Sequence, residues 1–97
     1  MKENKSKKEY FDELVETLLF VAKDKELFRA FFEDLTTRAE RKSMSLRWQV
    51  VKRLHKGQTH RSIAGDLGLG ISTVTRGSRE LGDDNGGFTK TLKKLKK

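Results

Sequence analysis

The sequence predicts an all-α protein of about six helices with a helix-turn-helix, and three observations carry that expectation. The 97 residues contain no proline and 37% of them are charged, a composition that favours helices. Apolar residues recur at three- and four-residue spacing along most of the chain. The interruptions are short and hold glycine, threonine or aspartate, which cap helices rather than begin strands. A chain of this length has a small core and gains from a partner subunit.

Residues 1–8 (MKENKSKK) are polar and are expected to form a disordered basic arm, ahead of a single helical domain over 9–97. From Tyr10 to Ala22 the set Phe11, Leu14, Val15, Leu18, Leu19 and Ala22 follows helical spacing. A break at Lys23–Asp24–Lys25 leads to a second helix carrying Leu27, Phe28, Phe31, Phe32 and Leu35. Together with Phe20 these faces hold more aromatic surface than a short monomeric bundle covers, so an intertwined homodimer is expected, with an ordinary single-chain core as the alternative. Thr36 or Thr37 caps the third helix, and Glu40 completes a capping box with Thr37. That helix runs to about Lys56, with Met44, Trp48, Val51 and Leu54 inward, and Gly57 ends it. The segment Gly82–Gly87 (GDDNGG) is a turn or linker, and a last short helix places Phe88, Leu92 and Leu95 on one face among lysines.

The charge is placed unevenly. Residues 1–35 hold 7 Lys/Arg against 9 Asp/Glu, residues 36–82 hold 10 against 3, and residues 83–97 hold 5 against 2. The positive potential belongs to the second half, as a polyanion-binding segment requires, a solvated basic face being the alternative. There is no cysteine, hence no disulfide or thiolate metal site, which fits a reducing cytoplasm. No apolar run is long enough to span a membrane. His55 and His60 lack cysteine or acidic partners at metal-ligand spacing, and the acids of the first helices form no metal triad. An enzyme, a metal and a cofactor are therefore not expected, and no residue is assigned a catalytic role.

The most informative pattern lies over about 59–81. Thr59 is a good N-cap for a short helix with Ile63, Ala64 and Leu67 on one face; Gly68 stops it, Gly70 frees the turn, and Ile71 and Val74 restart helical spacing. This is a helix-turn-helix signature: Ala64 lets the helices cross closely, Gly68 turns the chain through φ > 0, and Ile71 and Val74 lock the second helix on the first. The expected DNA-facing set is Gly70, Ile71, Ser72, Thr73 and Thr75 at the second helix, with His60 and Arg61 at the start of the first as phosphate contacts. Double-stranded DNA is thus the expected partner. The same helix then contains Arg76 and Gly77, although an interior glycine costs a helix about 1 kcal/mol relative to alanine.

These residues resemble the Trp repressor family. The likeness runs from about Leu35 to Leu81 and is densest at Ile71–Ser78 (ISTVTRGS), with Thr37, Glu40–Arg41, Arg47, Leu54–Gly57 and Leu67–Gly68 also matching. The resemblance implies a cytoplasmic transcriptional repressor that uses L-tryptophan as corepressor, an effector rather than a cofactor. It implies that Arg76 binds the ligand carboxylate, Arg47 stacks on the indole, Gly77 leaves the ligand space and Thr37 lies near the carboxylate. Backbone carbonyls around Leu35 and Thr36 of the partner subunit would accept from the amino group. A guanidinium suits both tasks, being planar, bidentate toward carboxylates and able to lie on an aromatic face. On this reading Gly77→Val removes the ligand response and leaves the fold intact.

The chain departs from the family at three places. Glu80 stands where the family has a serine near the ammonium; its carboxylate can hold that ammonium or pair with Arg76. Arg38 replaces a proline, and the loop between Gly57 and Arg61 is one residue shorter. In the repressor mechanism implied by the family, two recognition helices enter successive major grooves roughly 34–36 Å apart, as dimeric helix-turn-helix repressors do. Lys90, Lys93, Lys94, Lys96 and Lys97 add phosphate contacts or only solvate the tail. The alternatives are an effector-independent helix-turn-helix protein, the DNA-binding end of a transposase-like protein, or a purely structural oligomer.

Overall fold

The computed structural model describes residues 6–96. Six helices follow one another: α1 (Lys7–Val21), α2 (Lys25–Leu35), α3 (Arg38–His55), α4 (His60–Leu67), α5 (Ile71–Leu81) and α6 (Gly87–Leu95). No strand occurs among the described residues, so the expected all-α class is observed. The chain divides into two compact units, residues 1–41 and 42–97, and the boundary falls inside α3.

In the first unit each helix starts on a side-chain cap. Ser6 and Glu9 form a capping box on α1, which places Lys7 and Lys8 of the expected basic arm in its first turn; residues 1–5 of that arm lie outside the described residues. Asp24 accepts from the backbone N–H of Glu26 and Leu27 and starts α2. Thr37 and Glu40 form the capping box on α3: the Thr37 N–H donates to Glu40 Oε1 (2.8 Å), and the Glu40 N–H donates to Thr37 Oγ1 (3.1 Å). The Arg41 guanidinium fastens the α2–α3 corner by donating to the carbonyls of Glu33 (2.9 Å) and Thr36 (2.8 Å). Those carbonyls lie at the end of α2, where the helix itself has no donor for them. The rings of Phe28 and Phe32 stack at 5.9 Å. Phe11, Val15 and Leu19, spaced four apart along α1, stay exposed, and so do Tyr10, Phe20, Leu27 and Leu35.

The second unit has the tighter core. Val50, Ile63 and Val74 are fully buried, one from each of α3, α4 and α5, with Leu54, Ala64, Leu67 and Leu69 packed against them. The expected inward set on α3 is only partly observed. Val51 is buried, Met44, Trp48 and Leu54 are half-buried, and Val50 joins the core. Two consecutive buried residues mean that α3 is covered over an arc wider than a single stripe. Ile71 is corrected more sharply: it is 51% exposed, and Val74 alone of the expected pair locks α5 onto α4. Ile71 is the first residue of α5 and stays outside the core cluster.

Local interactions fix the connections. Gly57 has φ +94°, a conformation that ends α3 and that L-residues with a Cβ rarely adopt. Gln58 then donates to Ser62 Oγ and to Asp66 Oδ2 (2.9 Å each), while Asp66 also meets Arg53 at 3.4 Å. Past α5, the Thr89 hydroxyl lies 3.2 Å from the Leu81 carbonyl and 3.0 Å from that of Asp83, which fastens the start of α6 to the end of α5.

The α3–α5 contact is closest at Gly77, which is buried. A Cβ added there falls 2.8 Å from Val50 Cγ1 and 3.8 Å from Leu54 Cδ1. Val50 is β-branched and itself buried, so it has little freedom to withdraw. The glycine is therefore a packing requirement, and the expectation that Gly77→Val leaves the fold intact is corrected. Overpacking of about 1–3 kcal/mol exceeds the helix-propensity gain of about 1 kcal/mol. Gly77→Ala is accordingly expected to lower stability in urea denaturation of the otherwise unchanged chain. In a Val50→Ala background the same Gly77→Ala change is expected to raise it, and equal effects in the two backgrounds would refute the steric origin.

Candidate functional site

Gly77 also lines a cleft of about 550 Å³. From α3 come Ser43, Leu46, Arg47 and Val50; from α5 come Thr73, Arg76, Gly77 and Glu80. Each set has the spacing i, i+3, i+4, i+7, which is one continuous face of an α-helix. The cleft is thus formed by two facing stripes, and Leu69 and Phe88 close its other sides. The absence of a side chain at 77 leaves the middle of the α5 wall at backbone level. Around it stand the cationic Arg47 and Arg76 and the anionic Glu80.

All three charged residues are exposed. Among the described residues neither Arg76 nor Glu80 takes part in a side-chain hydrogen bond or ion pair; the ion pairs Arg29–Glu33 and Arg53–Asp66 involve other side chains. Glu80 is therefore not paired with Arg76, and both groups face the cleft unneutralised by each other. The arrangement offers a planar bidentate cation for a carboxylate, a carboxylate for an ammonium, and apolar walls at Leu46, Val50, Leu69 and Phe88.

Of the sequence-predicted ligand residues, Arg47, Arg76, Gly77 and Glu80 come together in this cleft. Thr37 belongs to the first unit, where it caps α3. Ser43, Leu46 and Val50 were readable from Arg47 by helical spacing. Phe88 was not, because it reaches the site from α6, beyond the 82–86 turn.

Helices α4 and α5 are joined by the turn Gly68–Leu69–Gly70. Gly68 adopts the left-handed conformation (φ +67°, ψ +36°) that halts α4, and the Leu69 N–H donates to the Ala64 carbonyl at 2.9 Å. Gly70 occupies the N-cap of α5 with no side-chain bond, so the first amide groups of α5 are free of a side-chain partner. Ile71, Ser72 and Thr73 are exposed in the first turn, and Arg61 is exposed on α4 beside the half-buried His60. Thr75 differs from the rest of the predicted set. It is half-buried and its hydroxyl donates to the Ile71 carbonyl at 3.0 Å, leaving an acceptor and a methyl group for any partner. Thr73 serves both surfaces, being exposed on α5 and part of the cleft wall.

Among the described residues no group of three or more His, Cys, Asp or Glu side chains could hold a metal ion. No described helix is long and apolar enough to cross a membrane.

Comparison with known proteins matches this arrangement to one family. The family described as Trp repressor protein matches residues 9–96. An uncharacterized protein of Bacillus subtilis, YerC, is 31% identical over 85 residues, covering 88% of this chain and 81% of its own. A Trp operon repressor homolog of Chlamydia caviae is 39% identical over 74 residues, or 75% of this chain and 73% of that protein. A Trp operon repressor homolog of Vibrio campbellii is 46% identical over 48 residues, about half of each chain. The match extends through α1 and α6, well beyond the helix-turn-helix; the chain belongs to the Trp repressor protein family.

Proposed function

We propose that this protein is a sequence-specific DNA-binding transcriptional repressor, active as a homodimer, whose affinity for its operator is set by L-tryptophan or a close analogue held between α3 and α5. The observation that carries the reading is the pair of facing stripes, which brings Arg47, Arg76, Gly77 and Glu80 around one cleft. An α-amino acid matches that set group for group. Arg76 takes the carboxylate in a two-pronged hydrogen bond, Glu80 takes the ammonium, and Arg47 covers the ring.

The regulatory step follows from where the cleft lies. One wall is the helix whose first turn meets the base edges, so a ligand that bridges α3 and α5 restrains the recognition helix. The ligand raises DNA affinity only by the difference between its binding to the DNA-competent geometry and to other geometries, typically 1–3 kcal/mol for such couplings, or roughly 5- to 150-fold. Ser72, Thr73 and Thr75, with Gly70 and Ile71, read the major groove; His60 and Arg61 hold phosphates. The basic second half of the sequence supplies the sequence-independent attraction.

The exposed stripe Phe11–Val15–Leu19 with Phe20 and Leu35 supports the dimer, since such surface is normally covered. Sedimentation at micromolar concentration is expected to give a dimer; a folded monomer there refutes the dimeric mechanism.

Calorimetry with L-tryptophan tests the effector. Arg76→Lys keeps the charge but loses the planar fork, and Glu80→Ser removes the ammonium partner, so both are expected to weaken binding. Tighter binding by Glu80→Ser would mean that Glu80 obstructs the site. No heat from the unaltered protein would leave an effector-independent DNA-binding protein.

Operator binding tests the other face. Arg61→Ala is expected to weaken all sequences alike and flatten the salt dependence, whereas Thr75→Ala is expected to change base preference by about 1–3 kcal/mol. If neither variant alters binding to a selected operator, the groove assignment is wrong.

A further inference from the structure

Phe88 is the cleft residue that comes from α6, and its neighbours give it a particular setting. It is half-buried and lines the cleft, and its ring lies 6.2 Å from the Trp48 ring, tilted by 36°. The helix that carries it is short, at 9 residues. A helix of that length is marginal in water by itself and depends on tertiary packing. Its own packing comes from Leu92, which is 6% exposed, and from Thr89, tethered to the Leu81 and Asp83 carbonyls, whereas Leu95 is 62% exposed. Phe88 is thus one of the contacts that hold α6 in place, and it also lines the cleft.

We propose that Phe88 makes α6 the third wall of the effector site, selecting a ligand with an aromatic side chain and coupling cleft occupancy to the order of the C-terminal helix. The proposal rests on the effector reading above and deepens it. A planar ring lying between the Arg47 guanidinium and Phe88 gains a cation–π contact on one side and an aromatic contact on the other. An aliphatic amino acid of similar charge gains neither. The contact formed by Phe88 adds to the interactions that hold α6, so an occupied cleft opens α6 less often.

Hydrogen–deuterium exchange of the full chain with and without L-tryptophan is the direct test, accompanied by calorimetry of the unaltered protein and of Phe88→Leu. Leucine keeps the apolar contact with Trp48 while removing the aromatic ring. With L-tryptophan, amides of α6 are expected to slow together with those of α3 and α5. Phe88→Leu is expected to bind L-tryptophan roughly tenfold more weakly and to lose the α6 protection, with a smaller loss for L-leucine as probe. If α3 and α5 are protected while α6 is not, or if Phe88→Leu binds L-tryptophan as the unaltered protein does, the inference is overturned and the effector reading stands. If the unaltered protein shows neither heat nor protection in any helix, the effector reading fails and this inference with it. Should Phe88→Leu not fold, the α6 exchange of the unaltered protein decides the question alone.

Discussion

At Gly77 the backbone of α5 lies so close to Val50 of α3 that no Cβ fits between them, and the second unit is arranged around that approach. Val50 is simultaneously a core residue with Ile63 and Val74, so the same side chain meets α4, α5 and the glycine. Because buried side chains are close-packed, the position of α5 over α3 is not continuously adjustable. The cleft lies beside that contact, with Val50 and Gly77 both in its lining. An interior glycine is unfavourable for a helix by itself. Here its cost is offset by packing that no residue with a Cβ allows.

The α5 helix is able to do several jobs because its faces are separated by the helical repeat. Val74 points into the core, while Thr73, Arg76, Gly77 and Glu80 form the cleft wall. Ile71 and Ser72 remain exposed in the first turn. A change on one face reaches another through movement of the whole helix. Thr73 stands where the cleft wall and the exposed surface meet.

The two units divide chemically as well as spatially. The first carries more acidic than basic residues and keeps a run of large apolar side chains exposed, a surface suited to another apolar surface. The second concentrates the positive charge around a small, well-buried core. The exposed apolar side chains and the excess positive charge thus fall in separate parts of one short chain.

The run of helices and the Thr37 and Thr59 caps were legible in the sequence because they depend on local chemistry. The Thr37–Glu40 capping box, the left-handed Gly68 and the ends of α3 and α4 are set by residues within four positions of one another. The grouping of Arg47 with Arg76 and Gly77 was reached through a family likeness, and the two stripes give it a geometric basis. What the sequence could not decide by itself was burial between distant elements. Val50 rather than Trp48 or Met44 enters the core, Ile71 turns outward, Gly77 serves α3 packing as well as the cleft, and Phe88 reaches the site across a turn. Each of these depends on the distance and angle between helices, quantities that helical periodicity does not contain. Sequence by itself determined the elements and the side chains that share a face; tertiary packing decided which faces meet, because that depends on how closely one backbone can approach another.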